Sequence, residues 1–316
     1  MTRKVKKDLY KTIADTVITS LEQGTIPWEK PWHAAGLRDL PRSVSTGKAY
    51  SGINWFWLEM QRMIGGYSSP WWLTFKQAKK LGGTVRKGQQ SAPCIFWKII
   101  ESEETQEDGK ILRKGVPILR SFAVFNLDQC DLPEEAIERL AKRLDRLAPL
   151  AESNGDENET IQVADDCLRG FIDREGIGFD HGGNSAYYSP SEDRIQMPNL
   201  EAFKSSEAYY ATLAHESVHA TGHESRLSRG FDKKAAFGSD DYGREELVAE
   251  LGASMVLSVL DISKPEIEQN RDAYIANWIK AIKEDPRAIT VAAGKAAKAA
   301  DMILDLDNEG DEDEDE

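Results

Sequence analysis

Three residues in the second half of the chain have the types and the spacing of a metal site. His215, Glu216 and His219 stand in the order H-E-x-x-H within the segment LAHESVHATGH. Because four residues make about one helical turn, a helix would point both imidazoles to the same side. Two neutral imidazoles can occupy two corners of a tetrahedral zinc site, and a glutamate beside them can act as general base on the metal's water. The spacing therefore predicts a divalent metal, Zn²⁺ or another ion such as Mn²⁺, with Glu216 as catalytic base. The alternative is two histidines on a solvated helix face.

A third ligand is expected from the segment YGREELVAELGASMVLSVL at 242–260, which carries Glu245, Glu246 and Glu250 among apolar residues. A carboxylate on such a helix is costly to bury unless a metal or a proton donor meets it. Glu246 and Glu250 lie one turn apart, similar to the glutamates of gluzincins, in which the first binds the metal and the second orients a ligand imidazole. We predict Glu246 as the ligand and Glu250 as its outer partner. An exchange of these roles, Glu245 as the ligand, and a solvated glutamate stripe stay open.

The residues around the motif suggest a substrate cleft. The helix is expected to end at Gly222, because glycine favours the left-handed conformation found just past helix ends. His223 is then a cap or a substrate-side residue rather than a ligand, and His223 and Tyr242 are candidates for stabilising an oxyanion. The segment at 184–198 predicts two short strands around a turn, and a peptide could pair with such an edge strand beside the helix.

Charge and tryptophan are both concentrated near the N-terminus. Residues 1–100 contain 16 Lys and Arg against 6 Asp and Glu, so the other 216 residues carry −24 of a net charge of −14. Seven of the eight tryptophans, all but Trp278, lie in the same basic segment. Cations attract phosphates and aromatic rings stack on unpaired bases, so the combination favours single-stranded nucleic acid as a partner. The alternative is that most of the tryptophans are core residues.

Ten polar or aromatic residues of this segment are candidate DNA contacts. They are Lys48, Tyr50, Asn54, Trp55, Lys76, Gln77, Lys79, Lys80, Arg86 and Lys87.

Periodicity predicts the elements that would hold these residues. Apolar residues recur every fourth position from Val5 to Leu21, which predicts an amphipathic helix ended by Gly24. A short helix is expected at 74–81, followed by a glycine-bounded loop that exposes Arg86 and Lys87. Two strands at 91–100 and 119–130 are joined by the acidic loop at 101–110. Further helices are expected at 133–147 and within 264–304.

Cysteine usage and hydropathy bear on the compartment. Cys94, Cys130 and Cys167 are odd in number and widely spaced, which suggests free thiols in a reducing cytoplasm. No run approaches the roughly 18 apolar residues that a membrane span needs. We expect an intracellular protein without a membrane partner.

Several longer segments carry a family resemblance. In the first half these are LEQGTIPWEKPW, TGKAYSGIN, WLTFKQAKKLGGTVRKGQQ and VFNLDQC. In the second half they are MPNLEAF, HESVHATGHESRL and REELVAELGAS. Over nearly its whole length the chain resembles the ArdC-type antirestriction proteins of conjugative plasmids.

The resemblance implies an α+β protein with a small α+β domain that binds single-stranded DNA, followed by a zincin-like metallopeptidase domain rich in helices with a small sheet. We expect the DNA-binding domain at 1–130, a helix and linker at 131–160, the zincin-like domain at 161–304 and an acidic disordered tail at 305–316. The implied function is protection of incoming plasmid DNA from host restriction endonucleases.

Two other functions stay open. The chain could be a cytoplasmic zinc metalloprotease that cleaves a host defence protein, with Glu216 moving the proton between water and the departing amine. It could also be an acidic DNA mimic that inhibits a restriction enzyme through the tail DLDNEGDEDEDE. Acidic tails are more often solubilising segments.

Overall fold

The computed structural model describes residues 9–28, 40–105, 111–146, 160–230, 240–262 and 271–306. The helices of the described part are α1 (Leu9–Glu22), α2 (Gly52–Gly65), α3 (Phe75–Lys80), α4 (Glu134–Asp145), α5 (Gln162–Arg174), α6 (Ser206–Thr221), α7 (Asp240–Val259), α8 (Arg271–Glu284) and α9 (Ala288–Leu304). The strands are β1 (Arg42–Ser43), β2 (Trp71–Leu73), β3 (Thr84–Val85), β4 (Ala92–Thr105), β5 (Ile111–Asn126), β6 (Cys130–Asp131), β7 (Gly178–His181), β8 (Tyr187–Ser189) and β9 (Arg194–Met197). The predicted α+β class is confirmed.

The described residues within 41–50 and 57–144 form one compact unit, called the sheet unit below. Its main sheet has the order β1-β2-β5-β4, with β1 parallel to β2 and the other neighbours antiparallel. β3 and β6 form a separate antiparallel pair. Alternate residues of a strand face opposite sides of a sheet. Accordingly, Trp71 and Leu73 of β2 join one buried cluster, and Trp72 joins the other.

The β4–β5 hairpin is longer than the sequence predicted. Its register runs from Ala92 opposite Val124 to Thr105 opposite Ile111. Residues 101–105, expected in an acidic loop, therefore continue β4. The expectation was wrong because ladder pairing uses backbone groups, which acidic side chains leave available.

The described residues within 1–40, 51–56 and 145–316 form a second unit, called the helical unit below. Its sheet has the order β7-β9-β8, with β7 parallel and β8 antiparallel to β9. α7 lies against α6, α8 and α9, and α1 lies against α8 and α9. The side of α9 that faces these helices is lined by small residues that permit close packing. They are Ala292, Ala293, Ala296, Ala297, Ala299 and Ala300.

α1 is the predicted amphipathic helix, and it buries Ile13, Val17 and Leu21. We expected it in an N-terminal domain, but its partners belong to the helical unit, so the compact units interleave along the chain. Apolar periodicity shows that a helix face is buried without showing what covers it. Of the predicted linker and acidic tail, 147–159 and 307–316 lie outside the described residues.

Two further expectations concern thiols and membranes. Cys94, Cys130 and Cys167 are free thiols. Among the described helices, none has the length and apolar character that crossing a bilayer requires.

A candidate metal centre between two helices of the helical unit

The histidines of the motif are carried by α6. Ser205 begins this helix, and its hydroxyl accepts a hydrogen bond from the Ala208 amide at 3.3 Å. α6 buries residues on every side, as expected of a helix enclosed by protein. His219 and Glu216 are buried and His215 is partly buried. The motif histidines are therefore not on a solvated face.

α7 brings its glutamates to the same place because the two helices approach closely. A side chain at Gly252 of α7 would place its Cβ 2.8 Å from Cγ2 of Val218 on α6. Only glycine leaves room for this contact. Glu245, Glu246 and Glu250 are all buried, so they do not form a solvated stripe.

Potential ligand atoms of three side chains converge between the helices. Nε2 of His215 lies 3.1 Å from Nε2 of His219. Oε2 of Glu246 lies 3.5 Å from the first of these nitrogens, and its Oε1 lies 3.4 Å from the second. Zinc bonds of 2.0 to 2.1 Å in tetrahedral geometry separate neighbouring ligands by about 3.3 Å. These separations lie close to that spacing, with one carboxylate oxygen of Glu246 facing each imidazole. One ligand atom from each of the three side chains lies within 4.8 Å of the other two, so the donor set fits a divalent cation.

The other nitrogen of each imidazole faces a different carboxylate. Nδ1 of His215 lies 3.1 Å from Oε1 of Glu250. Nδ1 of His219 lies 3.6 Å from Oε1 of Glu245. A carboxylate within hydrogen-bond distance, as Glu250 is, holds the proton on Nδ1 and leaves the Nε2 lone pair for a metal. Glu245 faces Nδ1 of His219 from beyond that distance. The structure therefore gives each glutamate a distinct place: Glu246 at the Nε2 atoms, and the other two at the Nδ1 atoms.

Glu245 is itself held by Arg229, which sequence analysis did not single out. The Arg229 side chain is 4% exposed, and its Nη2 donates to Oε1 of Glu245 at 2.7 Å. Its Nη1 donates to Oγ1 of Thr221 at 2.6 Å, and Nη2 also donates to the carbonyl of Val218 at 2.6 Å. The guanidinium thus ties the end of α6 to α7 beside His219. The sequence feature that could have identified Arg229 is its place a few residues after the helix that carries the motif.

Gly222 has a different role from the one expected. α6 ends at Thr221 as predicted, but Gly222 has φ −78° and ψ −8°, so the left-handed conformation is not used. A Cβ at Gly222 would lie 2.8 Å from Nη2 of Arg229. The glycine therefore makes room for the buried guanidinium.

The charges of the cluster shift the pKa values of its members. Burial alone would lower the pKa of His215, but contacts with Glu246 and Glu250 raise it well above its ordinary value. Burial likewise opposes the charged form of His219, yet Glu245 and Glu246 raise the pKa of His219 to about 9. Burial would raise the pKa of Glu246, and the two imidazoles instead hold it far below the ordinary range. The carboxylates thus favour positive charge at this position, which a divalent cation would supply.

The remaining residues proposed for catalysis occupy different surroundings. Glu216 follows His215 on α6 and is buried. His223 lies outside the cluster, with Nδ1 2.8 Å from Oγ of Ser225. The side chain of Tyr242 is outside the described residues. Tyr274 of α8 is half-buried. Burial raises its pKa, and the negative charges of the nearby glutamates raise it further.

The candidate DNA contacts differ in accessibility. Six side chains are exposed: Lys48, Lys76, Lys79, Lys80, Arg86 and Lys87. Tyr50, Asn54 and Gln77 are partly buried, and Gln77 completes the capping box of α3 with Thr74. Trp55 is 5% exposed, so its ring packs in the helical unit instead of offering a face to a base.

The other tryptophans of the basic segment are core residues wherever the structure describes their side chains. Those at 28, 57, 71 and 72 are all buried. Trp32 and the Trp97 side chain lie outside the described residues. The aromatic residue that sequence analysis missed is Phe75, the first residue of α3, which is 45% exposed. The sequence feature that could have identified it is a phenylalanine among lysines, in TFKQAKK.

Comparisons with known proteins give matches both to the N-terminal part of the chain and to the part that contains the candidate metal centre. The family model described as the N-terminal domain of anti-restriction factor ArdC matches residues 7–125. The model described as zincin-like metallopeptidase matches residues 166–295, and such a domain implies a divalent metal. The metal-free crystal structure of the antirestriction ArdC protein from the R388 plasmid has a TM-score of 0.72 and 36% identity, covering 94% of this chain and 96% of that chain. Its Mn(II)-bound form matches at 35% identity and a TM-score of 0.72, with 94% and 97% covered.

Similar curated proteins differ greatly in length. The protein named DNA primase TraC from Escherichia coli is 36% identical over 95% of this chain, which spans 27% of that protein. An uncharacterized protein y4eC of Sinorhizobium fredii is 33% identical over 96% of this chain and 93% of its own length. The chain thus spans about a quarter of the primase it matches, and nearly the whole of the second relative.

Proposed function

Because the chain belongs to the ArdC family of antirestriction proteins, we propose that it binds single-stranded DNA and protects incoming plasmid DNA from restriction endonucleases. We further propose that its helical unit is a metal-dependent, peptidase-like centre. The observation that carries the second proposal is the convergence of two imidazoles and one carboxylate between α6 and α7. The longer relative is named a DNA primase, but we do not propose primase activity for this chain.

DNA binding by the sheet unit is supported by its exposed cations. The stretch at 74–90 contains five Lys and Arg and no Asp or Glu. Its lysines at 76, 79, 80 and 87 are exposed, as phosphate contacts require. An uninterrupted positive segment attracts any polyanion, and the preference for single strands needs a direct test.

The test uses the full chain and a labelled oligonucleotide, single-stranded or in a duplex, across a salt series. We expect tighter binding of the single strand, weakening as salt rises. Replacing Lys76 and Lys80 by Gln should reduce the slope of log affinity against log salt by about 1.4, since each phosphate contact on a single strand contributes about 0.7. A matched double change at the exposed Lys295 and Lys298 of α9 should leave the slope unchanged. Absence of binding at low salt would exclude the DNA-binding function.

The metal centre is proposed to consist of His215, His219 and Glu246. Glu250 and Glu245 would orient the two imidazoles through their Nδ1 atoms. Zn²⁺ fits the donor set, and Mn²⁺ is the alternative because a similar ArdC structure is Mn(II)-bound. Calorimetric titration of the metal-stripped chain with each ion would decide between them.

The proposed chemistry is hydrolysis of a peptide bond. A bound divalent ion would polarise the substrate carbonyl and lower the pKa of a water. Glu216, next to the ligand His215, would accept the proton of the attacking water and return it to the departing amine. Glu216 is buried, which keeps its carboxylate away from bulk solvent.

A second candidate function is a protease that cleaves a host defence protein, and the buried Glu216 beside the cluster favours it. Transfer of an unmodified plasmid into a restricting bacterium separates the two functions. If Glu216→Gln keeps both DNA binding and protection, proteolysis is not needed for protection. If it loses protection while DNA binding and metal binding are intact, the protease function is the correct one.

A further inference from the structure

Phe75 is an exposed aromatic ring in the most basic part of the sheet unit. It is 45% exposed, whereas the described tryptophan side chains are buried. Base stacking on a described tryptophan of the basic segment would therefore require unfolding of a core. The ring of Phe75 is available without any such change.

The position of Phe75 follows from the way α3 is anchored. Oγ1 of Thr74 accepts from the Gln77 amide at 3.2 Å, and Oε1 of Gln77 accepts from the Thr74 amide at 2.8 Å. This capping box fixes the first turn of the helix. Ala78 is fully buried against the β2 side of the sheet unit, whereas Phe75, Lys76 and Lys79 are exposed. The helix is thus held rigidly with its aromatic ring facing solvent.

The ring has positive charge around it. Nζ of Lys79 lies 5.0 Å from the centroid of the Phe75 ring, within cation–π range. Lys76 and Lys80 of the same short helix are also exposed. Arg86 contacts the carbonyl of Cys130 at 3.2 Å and the carboxylate of Asp131 at 3.3 Å, so its guanidinium joins the end of β3 to β6.

We propose that Phe75 is a base-stacking residue of the DNA-binding surface, with Lys76, Lys79 and Lys80 binding the adjacent phosphates. The inference rests on the proposed binding of single-stranded DNA and names the residue that selects single strands. Phosphate contacts are available in both a duplex and a single strand, whereas the faces of paired bases are covered by their neighbours. A ring surrounded by cations therefore favours an unpaired base.

The first experiment compares two variants that remove similar exposed apolar side chains from the same unit. Phe75→Ala removes the proposed stacking residue, and Ile137→Ala, at a residue 47% exposed on α4, is the control. Affinity of the full chain is measured for a labelled single strand and for the duplex of the same sequence. Circular dichroism melting verifies that both variants are folded.

We expect Phe75→Ala to weaken single-strand binding by between about 5-fold and 150-fold, because stacking contributes about 1 to 3 kcal/mol per base. Its salt slope should equal that of the unaltered chain, since no cation is removed. Phe75→Tyr should restore most of the affinity, and Ile137→Ala should behave as the unaltered chain. Duplex binding should change little in all three.

Several outcomes would overturn the inference. Equal behaviour of Phe75→Ala and Ile137→Ala would show that the ring does not contact a base, with DNA binding itself left standing. Equal weakening of single-strand and duplex binding would show that the ring does not recognise an unpaired base. Failure of the unaltered chain to bind any single strand would instead contradict the proposed function.

A second measurement locates the contact directly. A single strand carrying 5-iododeoxyuridine is irradiated in complex with the full chain, and the cross-linked peptide is identified by mass spectrometry. We expect the cross-link at Phe75 in the unaltered chain and its loss in Phe75→Ala. A cross-link that maps only to other residues would refute the stacking role.

Discussion

At the residue scale, the three glutamates of α7 are distinguished by the nitrogen that each faces. Glu246 lies at both Nε2 atoms, at 3.5 and 3.4 Å, whereas Glu250 lies 3.1 Å from Nδ1 of His215. A ligand supplies one of the bonds to the metal, and an outer carboxylate only fixes the orientation of a ligand. Their removal should therefore have unequal effects.

We predict that Glu250→Gln weakens metal binding by about 10- to 100-fold, in the usual range for an outer partner, and that Glu246→Gln weakens it more. Calorimetry or competition with a chelator measures both. Glu250 and Glu246 are buried on the same helix, so each variant is a control for the other. A larger loss for Glu250→Gln would reverse the two roles.

Arg229 provides a test of positioning that is separate from ligation. Arg229→Met leaves the buried Glu245 without its ion partner, which should cost about 3 to 5 kcal/mol of folding free energy. Replacing both residues, as Arg229→Met with Glu245→Leu, should recover much of that stability, because an apolar pair can replace a buried ion pair. Denaturant unfolding measures these changes.

The double variant should still bind metal more weakly than the unaltered chain, because Nδ1 of His219 has lost the carboxylate at 3.6 Å. The double variant therefore distinguishes an effect on folding stability from an effect on metal affinity. Recovery of metal affinity together with stability would show that Arg229 acts only on folding.

At the element scale, the distance between α6 and α7 determines whether the proposed metal ligands meet. The sequence predicted both helices, since the histidine spacing and the apolar residues around the glutamates fit helical periodicity. It did not identify Gly252 as the contact point, because a glycine within a helix gives no sign of what lies opposite. The close approach depends on the absence of a single Cβ.

We predict that Gly252→Ala destabilises the helical unit and weakens metal binding. Helix propensity alone would favour the alanine by about 0.5 to 1 kcal/mol. The new Cβ, 2.8 Å from Val218, should force α6 and α7 apart at a cost of about 1 to 3 kcal/mol, so the steric effect outweighs propensity.

Gly170 of α5 is the matched control, since a Cβ there would meet nothing within 4 Å. Gly170→Ala should raise the melting temperature slightly and leave metal affinity unchanged. Equal responses of the two variants would exclude the proposed packing role of Gly252.

At the scale of the whole molecule, the order of segments along the chain does not predict their grouping. The family resemblance led us to expect consecutive domains, yet Trp28 is fully buried in the helical unit. Its ring lies 5.1 Å from that of Trp278 on α8, and its carbonyl accepts from Oγ of Ser254 on α7 at 2.8 Å. Sequence patterns show that a tryptophan is apolar enough for a core, but the partner 250 positions away is set only by the tertiary fold.

We predict that Trp28→Ala destabilises the helical unit by about 3 to 5 kcal/mol, as expected for a large aromatic removed from a core. Amide hydrogen exchange of the full chain should then rise in α7 and α8, and metal binding should weaken because α7 carries the glutamates. Trp72→Ala, at a similarly buried residue of β2, is the control and should raise exchange in β2 and β5.

Comparing hydrogen exchange in Trp28→Ala and Trp72→Ala shows which unit is stabilised by α1 and the turn after it. If Trp28→Ala raised exchange only in the strands of the sheet unit and left metal binding unchanged, the first 28 residues would belong functionally to the DNA-binding part, as the charge pattern suggested. If exchange rises in α7, a basic N-terminal segment contributes to the stability of the acidic half. Any fragment cut near residue 130 to isolate the proposed DNA-binding part would then separate α1 from α8 and α9, against which it packs.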